Sequence, residues 1–529
     1  MLRPAAFAPL RHPAFRLLWI ANLASNTGLF IQNTAAGWLM TSLDPAPIMV
    51  SFVQASSQLP VFLLALPAGA LADIMDRRLF LIGAQVWMML IATLLCLLTA
   101  GDALGPWGLI AFTFALGAGL AMTFPAWAAT TPELVPREDL VGAIALNGIG
   151  FNLTRAVGPA IGGLVVAWFG VEAAFALNAL CILTLVVSLF FWKREPMASR
   201  MPREHFLSAV RAGARFVAAT PAMHAAILRA VVFFLFGSAV WGLLPLLVRE
   251  TLQLGPQAFG LLLGCMGAGA VMAGFLLPAV RGRIDRSDIV LWSSVLNGVA
   301  LAILATLHHW FFAALGMLLY GVAWISAAST MQAAAQMAAP AWVRARAMGV
   351  YQMSFFGAMA AGAAFSGWIA GRIGVEITMG AFALCALVSA FAVRRWRLEG
   401  DLPATPQKVE LARPEPADSS LRSLLHEGEN RVLEVVRYHV APKDREAFLA
   451  AVSQCRRVRL RGGARTWRLY EDVAHPERWV ELWTIESWAE HLRESTRLTD
   501  EDRSILARAA QFDTHGTGPE AARYVNVRV

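Results

Sequence analysis

Arg155 stands in "NLTRAVGPAIGG" (152–163), inside a long apolar stretch and beside a Pro and three Gly. A guanidinium there is costly unless it meets a partner or a water-filled path, so its chemistry would be to attract an anion or to act as a switching charge within a membrane. It lies about 15 residues from the start of its apolar segment, roughly 22 Å along a helix, too deep to snorkel to water on that side. Two roles remain open. It is either a packed Arg bonded to carbonyls or an anion-attracting or gating charge in a transport path, and the second is the expectation taken forward.

Uncharged amides accompany it. Asn22, Asn26 and Asn33 recur at near-helical spacing, and Gln54, Gln58, Asn152, Gln332, Gln336 and Gln352 are further candidates for a polar path, with Ser57, Asn147 and Asn178 beside them. Such amides bind a ligand or bond helix to helix. Trp38, Phe124, Trp127, Trp241, Phe355 and Phe356 interleave with them, a lining suited to an amphipathic, aromatic solute.

A second cluster lies in "GALADIMDRR" (69–78). Asp73 closes one apolar segment near where another, entering around Ala347, would present its positive N-terminal dipole. Arg77 and Arg78 can pair with Glu133, Glu138 or Asp139, in a network that must break for the path to open, or they can be ordinary solvated loop charges. Gly69, Asp73, Arg77 and Arg78 are therefore expected to form a gate. No Asp or Glu sits near the middle of an apolar segment, where proton carriers usually lie, which leaves peripheral acids such as Asp73 or Glu250.

The elements that must position these residues follow from composition. The chain is 57% hydrophobic and 15% charged, outside the range of a soluble globular protein. Apolar runs of about 20 residues succeed one another from about 15 to 394 and predict twelve transmembrane helices in two six-helix bundles, 1–196 and 222–396, joined by a central loop, 197–221. A Pro-rich linker (397–429) leads to a polar segment (430–529). About twenty Lys and Arg fall at the N-terminus and in alternate loops, against two (Arg249, Arg372) on the other side, so both termini are expected in the cytoplasm. The same loops account for the net charge of +8, and nucleic acid is not an expected partner. No cleavable signal peptide is evident, and the five Cys show neither a disulfide framework nor a metal-ligand spacing, so no cofactor or metal is expected.

Sliding the chain on itself by about 204 residues aligns Gly117 with Gly321, Gly158 with Gly362, Gly163 with Gly367, and "GVE" at Gly170 with "GVE" at Gly374. Six spans per copy give a parallel repeat, the arrangement in which two bundles rock around a central path. Arg155 falls on Met359, so the fold does not require the Arg. Gly158, Pro159, Gly162 and Gly163 are expected to serve helix packing, the Gly residues by close approach and Pro159 by a bend its neighbours compensate.

The stretches "FRLLWIANLASNTG", "LPVFLLALPAGALADIMDRR", "VGPAIGG" and "PAWVRARAMGVYQMSFFGAMAAG" resemble the major facilitator superfamily, within it the transmembrane secretion effector or enterobactin-exporter-like branch. Of the family pattern between the second and third spans the chain keeps Gly69, Leu71, Asp73, Arg77 and Arg78; Ile74 stands where Arg is usual and Asp76 where Gly is usual. The Arg of the superfamily's fourth-span motif has no counterpart in "FTFALGAGLAMTF". The resemblance implies a non-enzymatic secondary transporter of the bacterial inner membrane that exports small organic molecules, siderophore-like or drug-like, by alternating access. An importer of the same fold, or a membrane-tethered sensor or enzyme acting through the C-terminal segment, are the alternatives.

That segment reads strand (431–440), helix from Pro442, strands (464–473 and 478–486), helices from Ser487 and Thr499, and a last strand "RYVNVRV". The order predicts a small α+β ferredoxin-like domain. It resembles dimeric α+β barrel modules, which implies a homodimer or regulatory role; His491 is the one reactive candidate it offers.

Overall fold

A computed structural model describes residues 5–136, 138–192, 206–340, 343–398, 431–488, 491, 498, 500–514 and 518–526. The chain divides into two compact units, one of 1–203, 225–334 and 349–398, the other of 204–224, 335–348 and 399–529.

The first unit is helical. Its helices are α1 (Pro13–Leu43), α2 (Pro47–Ile74), α3 (Arg77–Ala100), α4 (Pro106–Leu134), α5 (Leu140–Phe191), most of α7 (Pro221–Leu246), α8 (Pro256–Arg281), α9 (Arg286–Thr306), α10 (Trp310–Ala338), α11 (Arg344–Ile373) and α12 (Val375–Ala392). Among the described residues, ten helices are long and apolar enough to cross a membrane. Pro at the first turn opens α1, α2, α4 and α8, where its missing N–H costs nothing. Asp76 opens α3 by accepting a hydrogen bond from the Leu79 N–H at 3.0 Å, which explains an acid where the family pattern has Gly.

The sequence repeat reappears as backbone geometry. Gly170, inside the 52-residue α5, has φ 89° and ψ 171°; Gly374, between α11 and α12, has φ 89° and ψ 159°. Both open a "GVE", and a left-handed φ of this kind is nearly closed to residues with a Cβ.

The paired Gly residues mark close helix contacts. A Cβ at Gly117 on α4 would lie 2.7 Å from the Ser57 carbonyl oxygen of α2, and one at Gly321 on α10 would overlap the Met266 carbonyl of α8. Gly158 backs onto Phe30 and Gly162 onto Ile31 and Thr34 of α1, while Gly163 meets Gly260 of α8. Between apolar helices in lipid this backbone proximity supplies the packing that hydrophobic burial supplies in water. Gly321→Ala is expected to destabilise the protein by about 1–3 kcal/mol through overpacking, and Gly117→Ala by less, read as a lower midpoint of thermal unfolding in detergent.

The second unit contains the predicted strands as β1 (Val432–His439), β2 (Thr466–Glu471), β3 (Arg478–Ile485) and β4 (Glu520–Val525), in one antiparallel sheet of order β2-β3-β1-β4. Two helices, α13 (Arg445–Gly462) and α14 (Asp500–Ala510), cover one face, where Val432, Val436, Trp479, Trp483 and Ile485 pack with Phe448, Val452, Val458 and Leu506. Helix α6 (Phe206–Ala219), from the central loop, packs on α13 in this unit.

Two carboxylates share the buried face. Glu481 is fully buried and accepts hydrogen bonds from the Tyr438 hydroxyl and the Trp467 indole N–H, both at 2.9 Å, beside Arg459. Glu434 is ion-paired with His491, and Arg523 Nε lies 3.6 Å away. His491 is thus engaged as the partner of a buried carboxylate. Burial, with Glu481 as the lesser cause, pushes the Cys455 thiol up to about 12. Because the thiolate is the nucleophile, Cys455 is expected to resist alkylation by iodoacetamide at pH 8 until denaturant opens the unit, read by mass spectrometry.

Candidate transport cavity

Eight helices surround a cavity of about 480 Å³ in the first unit. Asn33 of α1, Gln54 and Gln58 of α2, Asn152 and Arg155 of α5, Gln332 of α10 and Gln352 of α11 line it, so seven of the nine expected path residues meet in one place. Asn26 shares the Asn33 face but lies almost two turns earlier, below Leu29, where the lining of α1 begins. Gln336 is exposed, one turn beyond Gln332, past the end of the lining on α10 and in the other unit. Two other amides bond helices together: Asn178 donates to Gln32 Oε1 at 2.7 Å and Asn147 to Thr131 Oγ1 at 3.0 Å.

A continuous series of rings edges the cavity. Phe30, Phe151, Phe124, Phe356, Phe355, Phe234, Trp324 and Trp241 follow one another with successive centroid separations of 5.7, 6.1, 6.3, 4.7, 4.3, 4.8 and 5.9 Å. The Phe124–Phe356 contact carries the series from α4 to α11. Most of these contacts are edge-on, the orientation the ring quadrupole favours.

Arg155 reaches from α5 toward the second bundle. Its Cζ lies 5.0 Å from the Trp324 ring centroid and 5.4 Å from that of Trp241. Stacking on indole stabilises the cation without cancelling its charge. Its Nε has no hydrogen-bond partner. The described residues that line the cavity include no Asp, Glu, Lys or His. The cavity therefore presents one cation, several amides and a wall of rings.

At the end of the cavity where α1 finishes, α1, α2 and α5 close against α8, α11 and the stretch after α7. A Cβ on Gly163 would lie 2.5 Å from Gly260 Cα, and one on Gly367 would lie 2.8 Å from the Pro47 carbonyl oxygen, so α5 meets the first turn of α8 as α11 meets the first turn of α2. Ser51 donates to the Gly242 carbonyl at 3.2 Å, Trp38 stacks on Phe259 at 6.0 Å, and Arg249 donates to Thr41 Oγ1 and Ser42 Oγ at 2.8 and 2.6 Å. At the opposite end, a Cβ added to Gly69 would meet nothing within 4 Å.

The charged loop contains one of the expected pairs. Arg77 pairs with Glu133 at 2.7 Å and also donates to the Ala129 carbonyl at 2.9 Å, while Arg78 donates to the Leu189 and Phe190 carbonyls, both at 2.9 Å. Asp139 pairs with His12 at 2.8 Å. The Arg77 and Arg78 contacts tie α3 to α4 and α5. The Asp73 side chain lies outside the described residues.

Sequence reading missed Trp324, Phe30, Phe151, Phe234, Tyr351 and the seal residue Arg249. The recurrence of Trp324, Ala328 and Gln332 every four residues was a usable signal for one face of α10. Arg249 carried no local signal, because its partners are some 200 residues away in sequence.

The transmembrane secretion effector family matches residues 4–528. The chain belongs to that family, within the major facilitator superfamily. Its curated relatives include the enterobactin exporter EntS of Escherichia coli O1:K1 / APEC and that of Shigella boydii serotype 18, each 26% identical over 326 residues, covering 60% of this chain and 76% of the relative. Among solved structures, a bacterial homolog of the human lysosomal transporter Spinster, inward-facing and unoccupied, aligns with a TM-score of 0.57 at 14% identity, covering 75% of this chain and 98% of that one. The nucleoside transporter NupG aligns with a TM-score of 0.61 at 15% identity, covering 72% and 99%. This secretion effector is a multi-pass membrane transporter of the secondary type, and its relatives are transporters, not enzymes.

Proposed function

We propose that the protein exports small amphipathic organic anions with aromatic character, siderophore-like or drug-like, across the bacterial inner membrane by alternating access. One observation carries this reading: Arg155, with an unpartnered Nε, stacked on two indoles in an amide-lined cavity free of acids among its described residues. An exporter among the relatives supports the direction.

On this reading α1 crosses the membrane and α5 crosses twice, bending at Gly170, which makes twelve spans in two bundles (1–196 and 222–396) with both termini cytoplasmic. The seal at the end of α1 then faces outward and the cavity is served from the cytoplasm, with Gly69 and Asp73 closing that side in the other half of the cycle and Arg77 and Arg78 holding their loop in shape. Residues 397–429 are a linker, and 430–529 form a ferredoxin-like module that joins two copies or regulates transport; the order β2-β3-β1-β4 and the two helices on one face support this reading.

Accumulation of a compound panel, with enterobactin and aromatic sulfonates and carboxylates against neutral and cationic analogues, would be compared in cells with and without the gene. Selective retention of anions in cells lacking it is the expected result. Retention of cations or neutral compounds alone would reject the substrate class, and retention in the expressing cells would mean import.

A further inference from the structure

The cavity holds a cation but, among its described lining residues, none of the carboxylates that usually exchange a proton for a substrate. Arg155 is also held where a cation is well tolerated, over the faces of Trp324 and Trp241. Arg155 is thus the one charged group among the described lining residues, and it is positive.

From this we infer that transport is electrogenic: the anion crosses with its own charge, and the membrane potential drives export without proton exchange. The inference rests on the proposed anionic substrate. Arg155 stays with the protein through the cycle, so it neutralises a monoanion while that anion is inside the low-dielectric core and is left behind when the anion departs. The net charge moved per cycle is that of the substrate. With the cell interior negative, the anion runs outward, and the direction of transport follows from its charge rather than from a coupling ion. Each elementary charge is worth about 2.3 kcal/mol per 100 mV, which is about a 40-fold concentration ratio at steady state.

The purified full chain in liposomes tests this with 1-naphthalenesulfonate, an aromatic anion that stays charged at every working pH. Potassium gradients with valinomycin set the potential, an internal pH dye reports proton movement, and Arg155→Met and Arg155→Lys serve as comparisons, each checked for a monodisperse elution profile. The expected result is flux that requires Arg155, a steady-state ratio rising about 40-fold per 100 mV, a measurable charge displacement, and no change in internal pH. Arg155-dependent flux that follows a pH gradient and ignores the potential would overturn electrogenic coupling and leave the anion reading standing. Flux equal in wild type and both variants, or flux of neutral naphthalene derivatives only, would overturn the anion reading and this inference with it.

Discussion

Arg155→Met lowers transport of aromatic anions by about 10- to 150-fold and leaves the protein folded. The magnitude follows from losing a charged hydrogen-bonding partner in a water-poor site, worth about 1.5–3 kcal/mol, at a tenfold change per 1.4 kcal/mol. Met is the informative replacement because Met359 occupies the matching place in the other half of the chain, so an unbranched apolar side chain suits the repeat. The two indoles lose a cation but keep their contact with each other, and Trp324 keeps those with Phe234 and Tyr320. Arg155→Lys is expected to fall between, since an ammonium keeps the charge and loses the planar stacking on Trp324. Transport assays on anions and on their neutral analogues check this. Equal loss for both classes would assign Arg155 to packing, and no loss for any substrate would remove it from the path.

Gly163→Ala opens the seal at the end of α1. The new Cβ would lie 2.5 Å from Gly260 Cα, 2.9 Å from Gly260 N and 2.8 Å from the Pro256 carbonyl oxygen, all backbone atoms that no rotamer change can clear. The bundles must separate there, and overpacking of about 1–3 kcal/mol charged to the sealed state alone shifts the population toward the open one by about 5- to 150-fold. Gly260→Ala has the same effect, because its Cβ would lie 2.6 Å from Gly163 Cα. Gly371→Ala is the control, with nothing within 4 Å of its Cβ. In a background without the five native Cys, Asn33→Cys reports on the cavity through an impermeant maleimide added outside cells. Faster labelling with either seal variant, and an unchanged rate with the control, is the expected outcome; labelling that stays slow in both would mean that the glycine contact does not hold the seal.

The two predictions separate what was legible in the sequence from what was not. Arg155 could be singled out from residue type alone, since a charge deep in an apolar segment must have a purpose. Gly163 could be singled out from the repeat, although its partner could not: Gly260 lies outside the segments that the 204-residue shift aligns. The loop charges were legible as charges, and Arg77 found Glu133 as expected. Arg78 turned to the last carbonyls of α5, which no charge pattern signals. Arg249, read only as a stray cation on the sparsely basic side, proved to join the end of α1 to the end of α7.

Composition and period by themselves determined that this chain lives in a bilayer and that it consists of long apolar helices followed by a polar α+β segment. These are local properties: lipid admits only backbone that bonds to itself, and the length and spacing of apolar runs state where that happens. Only the tertiary structure decided which amides share the cavity, that Asn178 and Asn147 bond helices instead, that eight rings form one wall, and which end is sealed. A helix rotated by one residue turns its polar face by about 100°, and that rotation is set by the neighbours it packs against. In this chain those neighbours are the backbone contacts at Gly117, Gly163, Gly321 and Gly367, and through them the position of Arg155 between two indoles was decided.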